Sequence, residues 1–98
     1  MTLKELDNEL HLWAKSKNLD VLEKFAGRDV RFFYVSGLSD ECFQIYIDPP
    51  VGIIVRVTAC SVETRDDEEF NEYWDVEIVK MLDGLNRAFD QIDVWKNR

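Results

Sequence analysis

The longest regular pattern of apolar positions runs from Phe70 to Trp95: Phe70, Trp74, Ile78, Met81, Leu82, Leu85, Ala88, Phe89, Ile92 and Trp95. At about 100° per residue these side chains project within an arc of about 140°, which predicts one amphipathic helix in need of an apolar surface. Continuous from Asp67 to Trp95, it would be about 43 Å long. An eight-residue strand spans only about 27 Å, so part of the stripe would overhang any sheet of short strands. The overhang would meet the N-terminal helices, another subunit or a partner, with Gly84 as the bend if the helix is not straight.

The N-terminal pattern is also helical. Thr2 with Glu5 has the spacing of a capping box, and Leu3, Leu6, Leu10, Trp13 and Ala14 form one stripe. Leu19, Leu22, Phe25 and Ala26 form a second stripe out of phase with the first. A break is therefore expected at Ser16-Lys17-Asn18, followed by a short second helix from about Leu19, ended by Gly27. Between the helical segments the pattern switches to strands. Asp29–Ser36 and Glu41–Asp48 are rich in β-branched and aromatic residues, as is the stretch from Ile53 to about Val62. Gly37-Leu38-Ser39-Asp40 and Pro49-Pro50-Val51-Gly52 supply the turns. Phe43, Ile45 and Ile47 share a parity with Ile53, Val55, Val57 and Ala59, so one register sets Phe43 opposite Ala59. That register also sets Cys42 opposite Cys60, unless a one-residue bulge intervenes.

The resulting fold class is α+β. Residues 1–98 form a single domain of order α(α)βββα. A three-stranded antiparallel meander is packed on one face by the N-terminal helices and the long C-terminal helix.

Charge changes this picture from fold to function. The chain carries −8, unevenly spread: residues 1–31 balance, and Glu63 to Glu77 hold eight carboxylates against Arg65 alone. Such a balance disfavours nucleic acid and anionic membranes, and favours a basic protein partner. No apolar run is long enough for a membrane span, and the charged N-terminus lacks the apolar run of a secretory signal. Two cysteines make no disulfide framework, so a cytoplasmic chain with free thiols is expected.

Candidate chemistry is sparse. His11, the one histidine, has no sequence neighbour that suggests a nucleophile pair and reads as a surface residue. The acidic run lacks the ligand spacing and central glycine of an EF-hand, and Asp66 with Glu69 instead reads as a capping box at a helix start. Cys42 and Cys60 lack Cys-x-x-Cys spacing. The four glycines are isolated, so no phosphate loop is expected. Asp48 and Glu63 near the sheet edges are the residues an enzymatic reading would use, with no motif to support them. No catalytic residue, metal or cofactor is expected.

The remaining features suit binding. The acidic start of the long helix presents Asp66, Asp67, Glu68, Glu69, Glu72, Tyr73 and Glu77 as partner-binding candidates. The outer sheet face, with Tyr46, Ile54 and Arg56, is unusually apolar for a wet face and forms a second candidate interface. The expected function is a small acidic, non-catalytic protein–protein interaction module. Its sharpest form is an inhibitor or immunity-type protein that neutralises a basic partner. The competing reading is a self-associating structural domain, a homodimer through the sheet face or helix overhang, or an adaptor or secretion-chaperone-like domain.

Overall fold

The computed structural model describes residues 3–25, 28–36, 42–61 and 71–96, with the backbone alone for 22–25, 28, 29, 36 and 42. The elements are α1 (Leu3–Ser16), β1 (Val21–Phe25), β2 (Arg28–Ser36), β3 (Cys42–Ile47), β4 (Ile54–Ser61), β5 (Asn71–Glu77), a 3-10 turn (Ile78–Lys80) and α2 (Met81–Lys96). The fold is α+β. Its antiparallel sheet has five strands in the order β1-β2-β3-β4-β5, a meander longer at both ends than the three strands expected.

Helix α1 follows its sequence pattern. Leu3, Leu6, Leu10, Trp13 and Ala14 are all buried. It ends where the phase breaks. Asn18 adopts φ +58°, its N–H donates to the Lys15 carbonyl, and the Leu19 N–H donates to the Ala14 carbonyl. This pair of bonds is a Schellman motif, with asparagine in the left-handed position usually held by glycine. Thr2 and Gly27 lie outside the described residues. The second helix expected from Leu19 does not form, because the chain enters β1 and pairs with β2 from Val21↔Phe33 to Phe25↔Arg28. Leu19 and Val21, two residues apart, both pack on the core.

The long helix is the larger correction. Residues 71–77 are strand, paired with β4 from Ile54↔Glu77 to Cys60↔Asn71. A spacing of four, as in Trp74 and Ile78, is helical, but it is also an even number that fits strand alternation. Trp74 and Val76 turn toward the core while Tyr73, Asp75 and Glu77 face away. The remaining helix α2 is about 24 Å long, comparable to a strand, so the expected overhang disappears. Its buried stripe is Met81, Leu85, Ala88, Ile92 and Trp95, with Gly84 beside it. Leu82, counted with that stripe from its spacing, is exposed.

Both helices lie on one face of the sheet. The core joins Leu3, Leu10 and Trp13 of α1 and Leu85 and Ile92 of α2 to Phe33, Ile45, Ile47, Val55 and Val57. Gly84 is not a bend but a point of close approach. A Cβ there would stand 3.2 Å from Val76 Cγ2 and 3.3 Å from Val57 Cγ2. Gly84→Ala sets this crowding against a gain in helix propensity of up to about 1 kcal/mol, and its net effect should be small. Gly84→Val adds bulk that neither valine can absorb and is expected to cost about 1–3 kcal/mol, read as a lower urea midpoint at unchanged m-value.

The β3–β4 register differs from the expected one by two residues: Phe43 faces Ser61 and Ile45 faces Ala59. The turn explains why. Val51 and Ile54 exchange both main-chain hydrogen bonds around Gly52, whose φ is +62°. Positive φ at Gly52 and not at Ile53 makes this a type II′ hairpin turn. Asp48 N–H then donates to the Arg56 carbonyl, so Pro49 and Pro50 stand opposite Val55 alone. The turn at Gly52-Ile53 shifts the pairing by three residues from the expected register, and this one-residue bulge, at two prolines that donate nothing to the ladder, takes one back and leaves two. Gln44, not Cys42, therefore faces Cys60, and Gln44 Nε2 donates to Cys60 Sγ at 3.3 Å. Cys42 pairs with Ser36 of β2.

Candidate functional site at the β5 edge

The partner-binding candidates divide between described and undescribed residues. Asp66, Asp67, Glu68 and Glu69 lie outside the described residues, as do Glu63 and the capping box at Asp66. Glu72, Tyr73 and Glu77 belong to β5, and all three are exposed. They occupy an edge strand and not the first turns of a helix, which changes what they present.

The phase of the β4–β5 ladder follows from one bond. The Ile78 N–H donates to the Ile53 carbonyl at 2.8 Å, in register with the pairs of the strand. By antiparallel alternation Glu72, Trp74 and Val76 turn their main-chain groups toward β4. Tyr73, Asp75 and Glu77 turn theirs toward the outer edge, where no described strand pairs with β5. The same alternation makes Arg56↔Asp75 and Thr58↔Tyr73 the closely spaced pairs, whose side chains meet most intimately.

The structure brings the two candidate groups together on one face. Phe32, Tyr46, Thr58 and Tyr73 form a row across four strands. Phe32 stacks on Tyr46 with ring centroids 5.2 Å apart, and on Tyr34 at 6.4 Å. Beside this row, Arg56 donates to both carboxylate oxygens of Asp75, at 2.7 Å from Nε and 2.9 Å from the second nitrogen. The Arg56 guanidinium also lies over the Tyr73 ring, 4.2 Å from its centroid. Ile54 pairs with Glu77 at the end of the same face. Glu72 is on the opposite face, in register with Ala59.

The outer face is less open than its apolar composition suggested: Phe32, Gln44, Thr58 and Cys60 are buried, and Tyr46 is half-buried. Exposure concentrates on the β4–β5 side, at Ile54, Arg56, Tyr73, Asp75 and Glu77. The Arg56 fork is taken by Asp75 and its flat side by Tyr73. Asp75 was absent from the expected site; no sequence pattern links it to Arg56, nineteen positions away. Charge on β5 is correspondingly reduced: of its three carboxylates Asp75 is paired with Arg56, leaving Glu72 and Glu77 as its uncompensated charges among the described residues.

The hydrogen bonds from Arg56 hold the Asp75 carboxyl below its ordinary value, and those same bonds raise Arg56 further above neutrality. A carboxylate with a depressed folded-state value stabilises the fold above the unfolded value of about 3.9 and loses that contribution as pH falls through the depressed value. In Arg56→Gln the Asp75 carboxyl is expected to titrate at higher pH than in wild type. An NMR titration of its side-chain carboxyl carbon reads this directly; coincident curves would remove the pair as the cause. Because both groups are half-exposed, the pair orders the surface more than it stabilises the fold.

His11 lies on the exposed side of α1, over a shallow hollow lined also by Lys15, Asn18, Asp20 and Val21. Among the described residues no serine, threonine or cysteine lines that hollow. Among the described residues no three histidine, cysteine or acidic side chains converge as metal ligands would, and no helix is long and apolar enough to cross a membrane. The chain matches no protein-family model, and no curated protein or solved structure shows significant similarity to it.

Proposed function

We propose that this protein is a small, acidic, non-catalytic interaction module that binds a basic protein partner along β5. The observation that carries the reading is the position of β5 at the sheet edge. Tyr73, Asp75 and Glu77 turn main-chain groups outward there, beside exposed carboxylates and a tyrosine pinned under Arg56. An exposed edge invites strand addition by another chain, and acidic side chains along it select against acidic intruders and for basic ones. The sharpest form is an inhibitor or immunity-type protein that caps a cationic protein. This reading places the module in the cytoplasm, where the buried thiol of Cys60 stays reduced.

Charge reversal tests it. Affinity capture from native lysate compares wild type with Glu72→Lys/Glu77→Lys. These side chains are exposed, so the variant is expected to fold normally. The expected result is a set of captured basic proteins that falls at least tenfold in the variant and weakens with rising salt. Equal capture by both forms at moderate salt would overturn the reading.

A further inference from the structure

The corner where the β3–β4 hairpin meets the 3-10 turn is apolar and exposed without serving the core. Val51 is 81% exposed, Ile53 68% and Val79 87%; Ile54 and Leu82 are exposed as well. They come from two distant segments joined by the hydrogen bond from Ile78 N–H to the Ile53 carbonyl. Val79 and Leu82 are three apart across the start of α2, so they are neighbours on that side of the corner. Turns ordinarily carry polar residues. The type II′ turn needs Gly52 but makes no demand for valine or isoleucine beside it. Exposed apolar side chains gathered at one end of the fold mark an interaction site more often than scattered single ones do.

The patch is held in shape before anything binds. Val51 and Ile54 exchange two main-chain bonds, and Pro49-Pro50 restrict the approach to the turn. A pre-ordered surface loses little entropy on association. Among the described residues its surroundings are acidic on balance: Glu77 pairs with Ile54 and Asp83 lies one helical turn from Val79, against Lys80. Arg56 and Asp75 neutralise each other.

We propose that this corner is a docking surface for a protein that presents aliphatic anchors ringed by lysine or arginine. The occupant follows from charge. A second copy would bring Glu77 and Asp83 against their own equivalents in a chain of net charge −8. Anionic lipid would be repelled in the same way. The proposal rests on the acidic-module reading and adds to it where the apolar contact is made, at the hairpin end of the β5 face.

The test uses the full chain, isotope-labelled for amide NMR, with three synthetic amphipathic peptides as probes. One has a leucine face with a lysine rim, the second the same face with a glutamate rim, and the third the lysine rim with serines for leucines. The leucine–lysine peptide is expected to shift the amides of Val51–Ile54 and Val79–Leu82. The glutamate-rimmed peptide should bind at least tenfold more weakly. Ile53→Ser/Val79→Ser, both at exposed positions, should lose at least tenfold in affinity for the leucine–lysine peptide with an unchanged amide spectrum elsewhere. Corner amides unmoved by the leucine–lysine peptide overturn the proposal, as do equal shifts from the serine–lysine peptide. Concentration-dependent corner shifts without peptide would identify a second copy as the occupant and overturn it; so would binding to phosphatidylcholine vesicles. Failure of Glu72→Lys/Glu77→Lys to reduce capture is a separate result: it removes the β5 reading, while the peptide arms report on the corner.

Discussion

Trp13→Ala is expected to lower the unfolding free energy by about 3–5 kcal/mol, a large share of the roughly 5–15 kcal/mol typical of a domain. Trp13 is the residue through which α1 reaches α2. Its ring lies edge-on to Phe33 at 5.2 Å and to Phe89 at 6.2 Å, and its indole N–H donates to Asn86 Oδ1 at 2.8 Å. Truncation leaves a cavity bounded by a strand and two helices, none of which can collapse into it independently. Asn86 is exposed, so its oxygen regains water and the lost hydrogen bond is the minor term. Trp13→Phe separates the two contributions: it keeps an aromatic ring and is expected to lose far less than the alanine variant. Urea denaturation followed by circular dichroism measures both. A loss below about 1 kcal/mol for Trp13→Ala would mean that α1 does not dock as described.

Asp7→Ala is expected to cost about 3 kcal/mol, and Asp7→Leu combined with Arg31→Met less than that single substitution. Arg31 is in register with Ile47, on the helix face of the sheet, and its side chain is only 5% exposed. Its guanidinium meets Asp7 of α1 through two bonds, at 2.6 Å and 3.1 Å, and also donates to the Val30 carbonyl. Removing the carboxylate takes two hydrogen bonds and a counter-charge from a buried cation. Removing both charges leaves an apolar contact between α1 and β2. A double-mutant cycle in urea gives the coupling energy. A double variant less stable than Asp7→Ala would contradict this account of the pair.

The candidate site was legible residue by residue but not as a place. Tyr73, Glu77, Ile54, Arg56 and Tyr46 were all visible as exposed or oddly placed residues. A helical reading of residues 71–77 divides them between two separate surfaces. Once those residues form β5, register brings Tyr73 and Arg56 into contact and puts Glu77 beside Ile54. Asp75 joins them only because it stands opposite Arg56. Side chains across a strand pair are neighbours through long-range pairing, which no local spacing encodes. The hairpin register was missed for the converse reason. It depends on one positive φ at Gly52 and one extra residue at the prolines, details too local for an alternation pattern to register.

What the sequence determined by itself is the set of faces: the buried stripe of α1, the end of α1 near Asn18, the parity of β3 and β4, and the apolar side of α2. Each rests on a period that the folded segment keeps, or on a residue suited to one conformation. What only the tertiary structure decided is the fate of the segments on either side of the central strands. Val55, Val57 and Ala59 are buried, and their main-chain groups point away from β3. Left without a strand there, those groups would be buried and unpaired, so β4 recruits residues 71–77, and β2 likewise recruits 21–25. The helical reading of both segments was locally consistent. It gave way because hydrogen bonds at two buried sheet edges outweigh a helical spacing that strand alternation satisfies equally well.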